Sequence, residues 1–122
     1  MYDINTVSGA VRYAIKTLLT KYPHIRIIVS LPIYRFFTDE NNVVIEDSET
    51  KDFGGGTIPQ YCEAIKKAAQ DMKIPVVDMY NDGGINEFNR LNYFNITDGT
   101  HPNAKGSAII GHGIAEGVLR YL

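Results

Sequence analysis

The stretch Ile25-Arg26-Ile27-Ile28-Val29-Ser30-Leu31, closed by Pro32, is the run that decides the fold. It is almost continuously apolar and rich in β-branched residues, which predicts a strand covered on both faces, as in parallel sheets. Upstream of it, Val7, Ala10, Val11, Ala14, Leu18 and Tyr22 recur at three- and four-residue steps. That spacing predicts an amphipathic helix, with Asn5 or Thr6 as N-cap and Pro23 as stop. Downstream, residues 33–56 break into charges, Asn and the run Gly54-Gly55-Gly56, with only Val43, Val44 and Ile45 suggesting a short extra strand. A long loop or lid is expected there.

Thr57 and Pro59 open a second helix whose buried stripe is read as Ile58, Tyr61, Cys62, Ile65, Ala68, Ala69 and Met72. Pro75 then leads into a short strand, Val76 to Met79. Asn81 to Gly84 carries turn chemistry, and Ile85 to Thr97 reads as a loop with room for one helical turn. Ala104 to Leu122 reads as a last helix, with Ala108, Ile110, Ile114, Ala115, Val118, Leu119 and Leu122 facing inward. Its glycines, at 106, 111, 113 and 117, cost stability unless something packs very close to them.

Helix, strand, helix, strand, helix in that order implies right-handed crossovers and a parallel sheet flanked by helices. Three amphipathic helices need a sheet with two apolar faces, yet two strands are convincing where sheets usually have about four to six. The expectation is therefore the second half of a doubly wound domain. One edge of the 25–31 strand should be covered by another copy of the chain, by a rearranged piece of the 33–56 segment, or by polypeptide outside this sequence.

Composition narrows the function classes. With 122 residues, 44% of them hydrophobic, and a net charge of −2, the chain has the make-up of one globular domain. Its Lys and Arg are scattered, which argues against a nucleic-acid partner. Cys62 is the sole cysteine, so neither an internal disulfide nor a cysteine-based metal site can form within one chain. No apolar run approaches the ~20 residues of a membrane span, and no signal peptide is visible; the sequence is compatible with a cytoplasmic or a secreted protein.

The chemistry concentrates in Asp98-Gly99-Thr100-His101-Pro102-Asn103, just ahead of the last helix. This segment resembles the last conserved block of the SGNH (GDSL-type) hydrolases. The preceding helix-strand-helix-strand order, including Leu31-Pro32 and Ile74-Pro75-Val76-Val77-Asp78, is similar to the closing half of bacterial members. The resemblance implies a three-layer α/β/α, flavodoxin-like domain of which residues 1–122 supply the later strands. It implies a serine esterase of the lipase/acylhydrolase or carbohydrate-esterase kind, acting on a small-molecule or carbohydrate ester without metal or organic cofactor. His101 would be the general base and Asp98 the carboxylate that fixes its tautomer.

The sequence departs from that family in what precedes the block. The Gly-Asp-Ser segment that carries the nucleophile, the oxyanion-hole Gly and the Gly-x-Asn-Asp segment are all absent. Asn81-Asp82-Gly83-Gly84 follows the last strand and does not match the third of these. None of Ser8, Ser30, Ser48 and Ser107 has the strand-to-helix setting of an exposed nucleophile. The chain alone is therefore expected to be inactive. The rival reading is a non-catalytic binding or assembly module, such as a surface or phage-tail-type component, that keeps the fold without the chemistry. The structural alternative for Asp98 is a turn cap, and other signals read as structural outright: His24 in a turn, His112 on a helix, Cys62 as a small buried thiol, and Gly54 to Thr57 as a hinge. A metal set of Asp78, Asp82, Asp98 and His101 matches no standard ligand spacing. Asn95-Ile96-Thr97 is a formal glycosylation sequon, and Tyr93 and Phe94 could line an acyl or sugar pocket or pack the loop.

Overall fold

A computed structural model describes residues 2–122. Three helices carry the frame: α1 (Val7–Lys21), α2 (Ile58–Asp71) and α5 (Ala104–Arg120), with single turns α3 (Met79–Asp82) and α4 (Arg90–Tyr93) between the last two. The caps are local and legible. Thr6 Oγ1 accepts from Gly9 N (3.0 Å) at the start of α1, Gln60 Oε1 accepts from Thr57 N (2.8 Å) at the start of α2, and Asn103 Oδ1 accepts from Gly106 N (2.9 Å) at the start of α5.

The fold is a mixed α/β arrangement of small two-stranded sheets. β1 (Val29–Ser30) pairs in parallel with β4 (Val76–Val77), Val29 opposite Val76 and Ser30 opposite Val77. The two strands expected from the sequence are thus adjacent and parallel, but the ladder is shorter than the apolar run predicts. Nor is that run buried on both faces: Ile25 is exposed and Ile27 to Val29 are half-buried, leaving Leu31 as its buried residue. Among the described residues no strand pairs with the other edge of β1, so the covering that such a run calls for is missing on that side.

Residues 33–56 are not an irregular loop. Phe36–Thr38 (β2) and Val44–Asp47 (β3) form an antiparallel hairpin. Its tip is built by Asp39, whose Oδ1 accepts from Asn41 N (2.8 Å) and Val43 N (3.0 Å), and by Asn42 at φ 61°, a left-handed conformation that Asn tolerates. The hairpin is tied down through buried polar contacts. Tyr34 Oη donates to Asp47 Oδ2 (2.7 Å), Arg90 Nη1 donates to Tyr34 Oη (2.8 Å), and Tyr80 Oη donates to Ser48 Oγ (3.0 Å). Burial, and then the bond to Asp47, pushes the Tyr34 hydroxyl up to about 12.

The main core gathers Leu31, Tyr34, Phe36, Cys62, Tyr80, Ile85 and Phe94, with Phe36 and Phe94 edge to face at 5.7 Å. The stripe expected for α2 is buried or half-buried throughout. The stripes expected for α1 and α5 are not. In α1, which packs on α2, the covered apolar residues are Val7, Gly9, Val11, Ile15 and Leu19, so Val7 and Val11 of the expected stripe are covered while Ala10, Ala14, Leu18 and Tyr22 are exposed. In α5 the covered line is Gly106, Ile109, Ile110, Gly113, Gly117 and Val118, which includes Ile110 and Val118 of the expected stripe, while Ala108, Ile114, Ala115, Leu119 and Leu122 are exposed. A Cβ on Gly117 would come within 2.5 Å of Val77 Cγ1, so the helix seats directly on β4 because the side chain is absent; Gly111, in contrast, faces open space.

Candidate functional site

Asp98 and His101 lie on β6 (Asp98–Pro102), the second strand of an antiparallel hairpin with β5 (Phe94–Asn95), and not on a loop as the sequence suggested. In a regular strand, residues three apart point to opposite faces. Here the register jumps, from Asn95 opposite Asp98 to Phe94 opposite Pro102, so the segment between them bulges and the two side chains meet. Gly99 makes this possible. A Cβ there would lie 2.2 Å from Phe36 O and 2.6 Å from the Phe36 ring, so only glycine lets β6 lie against β2.

The two carboxylate oxygens of Asp98 have separate tasks. Oδ1 accepts from Thr100 N (2.8 Å) and His101 N (3.3 Å) and so caps the turn; Oδ2 accepts from His101 Nδ1. The turn-capping bonds and the bond to the imidazole are therefore both made by one side chain. The bond from the imidazole, followed by that from the Thr100 N–H, holds the Asp98 carboxyl down at about 2, below its ordinary 3.8. With Nδ1 engaged, Nε2 is the nitrogen left to take a proton, and no described residue hydrogen-bonds it. The His101 side chain is 80% exposed, and that of Asp98 41%.

No serine meets this imidazole. Ser48 is fully buried against Tyr80, Ser8 accepts from Arg12 Nε (3.3 Å) on α1, Ser30 sits on β1, and Ser107 lies exposed on α5. The remaining titratable candidates are apart from the pair. Asp78 caps α3 by accepting from Asn81 N (3.0 Å) and lies 3.8 Å from Lys66 Nζ. Among the described residues no three His, Cys, Asp or Glu side chains are grouped to hold a metal. His112 Nε2 pairs with Glu116 Oε1 (3.0 Å) on the outer face of α5, and His24 is exposed in a turn. Cys62 is buried in the core, and burial pushes its thiol up to about 11, which suits an inert side chain. Phe94 is buried against Phe36 and so packs the hairpin down, leaving Tyr93, half-buried, as the aromatic nearer the surface.

Sequence reasoning missed Gly99 as a site-shaping residue and missed Arg35, whose guanidinium Nη2 donates to Thr100 Oγ1 between the two candidate residues. The hairpin β2–β3 that presents Arg35 carries no local signal strong enough to place it beside residue 100.

No family model matches the chain, and no curated protein does. Solved structures do. A protein from Lactobacillus plantarum is 20% identical, with a TM-score of 0.78 over 98% of this chain and 56% of its own. A possible lipase from Chitinophaga pinensis is 22% identical, with a TM-score of 0.66 over 95% of this chain and 60% of its own. The esterase domain of the ORF1 protein from the zebrafish ZfL2-1 retrotransposon is 20% identical, with a TM-score of 0.64 over 100% of this chain and 62% of its own. The chain thus spans between about half and three fifths of the length of these solved structures, and what it shares with them is the fold.

Proposed function

We propose that residues 1–122 form the later part of a single SGNH (GDSL-type) hydrolase domain, three-layered and flavodoxin-like when whole, in which His101 is the general base and Asp98 its orienting partner. The observation that carries this reading is the Asp98–His101 bond through Nδ1, directly ahead of α5, with Nε2 free. The reaction is hydrolysis of a carboxylic ester of a small molecule or carbohydrate. Polypeptide outside these 122 residues supplies the serine and the oxyanion donors. The serine oxygen attacks the acyl carbon as its proton passes to His101 Nε2; that proton then leaves with the alcohol, and water releases the acyl group by the same route. The unpaired edge of β1 and the exposed apolar residues of α1 and α5 support the view that further strands and their crossovers belong against this chain.

The experiment is an ester assay on the complete reading frame that contains this chain, with a short-chain aryl acetate as substrate. Turnover that His101→Ala lowers by about 10³-fold or more is the expected result. Turnover indifferent to that change would overturn the assignment. The 122 residues on their own should give no hydrolysis above buffer. Turnover by them that His101→Ala abolishes would reveal a nucleophile inside the chain.

One observation favours the rival reading, a non-catalytic binding or assembly module: none of the four serines reaches His101. A complete reading frame lacking a Gly-Asp-Ser segment, and silent in the assay, would establish it.

A further inference from the structure

Arg35 is anchored unusually firmly for a residue between a strand and a hairpin. Its N donates to Ser48 Oγ (3.2 Å) and its O accepts from Ser48 N (2.9 Å), while its guanidinium carbon stands 4.4 Å from the Phe37 ring centroid. Lys51 also lies over Phe37, at 4.9 Å, but it is paired with Glu46 Oε1 (3.0 Å). Arg35 has no ion-pair partner among the described residues. Its Nε is sealed from solvent without an acceptor, and Nη2 is committed to Thr100 Oγ1. A guanidinium that leaves a buried donor unsatisfied is a poor choice for stability alone. What it does accomplish is to hold Thr100, the residue whose N–H fixes Asp98 Oδ1.

We propose that Arg35 is a positioning residue for the Asp98–His101 pair, acting through Thr100. The chain of contacts runs from the Arg35 guanidinium to the Thr100 hydroxyl, from the Thr100 N–H to Asp98 Oδ1, and from Asp98 Oδ2 to His101 Nδ1. With Thr100 held, the carboxylate cannot swing away from the imidazole, and the proton stays on Nδ1. The catalytic meaning of this arrangement rests on the proposed function; the arrangement itself does not.

The test is therefore made on the 122-residue chain, by nitrogen NMR of the His101 ring at a pH where it is neutral. Arg35→Met keeps the stem over Phe37 and removes the donor; Thr100→Val removes the acceptor. Each should lower the ratio of the Nδ1–H to the Nε2–H tautomer by about fivefold, the size of effect expected when one such contact is lost. The double variant should be no worse than either single one, because both cut the same link. Thr100→Ser should restore the wild-type ratio, and the His24 and His112 signals should not move. A folded Thr100→Val chain with an unchanged His101 tautomer ratio would overturn the proposal, whether or not Arg35→Met folds. Absence of esterase activity in the complete protein would leave this readout untouched, so the two ideas fail separately.

Discussion

The two ends of this molecule are built to different standards. Around Phe36, only 1% exposed, and Phe94, 2% exposed, the hairpins, α3 and α4 interlock through aromatic packing and polar contacts. On and just past α1 and α5, and in the segment ahead of β1, apolar side chains stand in solvent: Tyr13, Leu18 and Tyr22, then Ile114, Leu119 at 68% and Leu122 at 80%, then Ile25. Apolar surface is not confined to the second region, since Phe88 is 89% exposed, Ile45 61%, and Val43 and Leu91 56%; what separates the two is the packed aromatic pair Phe36–Phe94. An exposed leucine by itself means little, but exposure along two helices beside the unpaired edge of β1 is the surface that the proposed further strands would cover. Substitutions should tell the two regions apart.

The largest effect is expected at Phe36. Phe36→Ala should destabilise the chain by about 3–5 kcal/mol in urea unfolding, the range for emptying a fully packed aromatic site. A cost below about 1 kcal/mol would erase the distinction between the regions, because the packed end would then be no better supported than the bare one. Gly99→Ala comes next, at about 1–3 kcal/mol, since the added carbon meets the backbone oxygen of Phe36 as well as its ring. It should also weaken the His101 to Asp98 bond, visible in the same ring signals; a variant that keeps both stability and that bond would show that β6 can shift without harm.

A smaller effect follows from Asp98. Its carboxyl is held near 2 in the fold against an ordinary 3.8, so the pair's contribution is fully present above the ordinary value and is lost as pH falls through about 2. Comparing wild type with Asp98→Asn in unfolding curves from pH 5 downward, the gap between them should narrow with acidification. A gap that widens would reverse the sign of the linkage. Smallest of all, Leu119→Gln in the 122-residue chain should change stability by less than about 0.5 kcal/mol. If the same substitution in the complete reading frame is equally silent, the outer face of α5 is ordinary surface and the contrast between the two ends loses its meaning.

How far the sequence could be read follows from the range of the forces involved. α2 was legible because its cap, Thr57 with Gln60, and its apolar stripe are local. The parallel neighbours β1 and β4 were legible from the order of elements, though the both-face burial of residues 25–31 was not realised within this chain. The stripe on α5 was misread for a physical reason: periodicity counts side chains, and this helix buries the line on which Gly106, Gly113 and Gly117 have none. Of the β2–β3 hairpin, Val43 to Ile45 hinted at β3, while β2 and the pairing escaped because the strands are short and their support comes from Tyr80 and Arg90, far along the chain. Asp98 and His101 could be singled out by spacing, whereas the bulge that joins them and the hold of Arg35 on Thr100 exist only in three dimensions.

The bulge in β6 also bears on the order of events when a partner surface arrives. The geometry of the imidazole is set within five consecutive residues and a neighbouring hairpin, all of them inside this chain. Nothing about its orientation waits for the other side. If His101 is the base proposed above, a serine hydroxyl would meet a proton acceptor already held by Asp98, the entropic cost of aligning it having been met during folding. On that reading, alignment of the imidazole would precede any association.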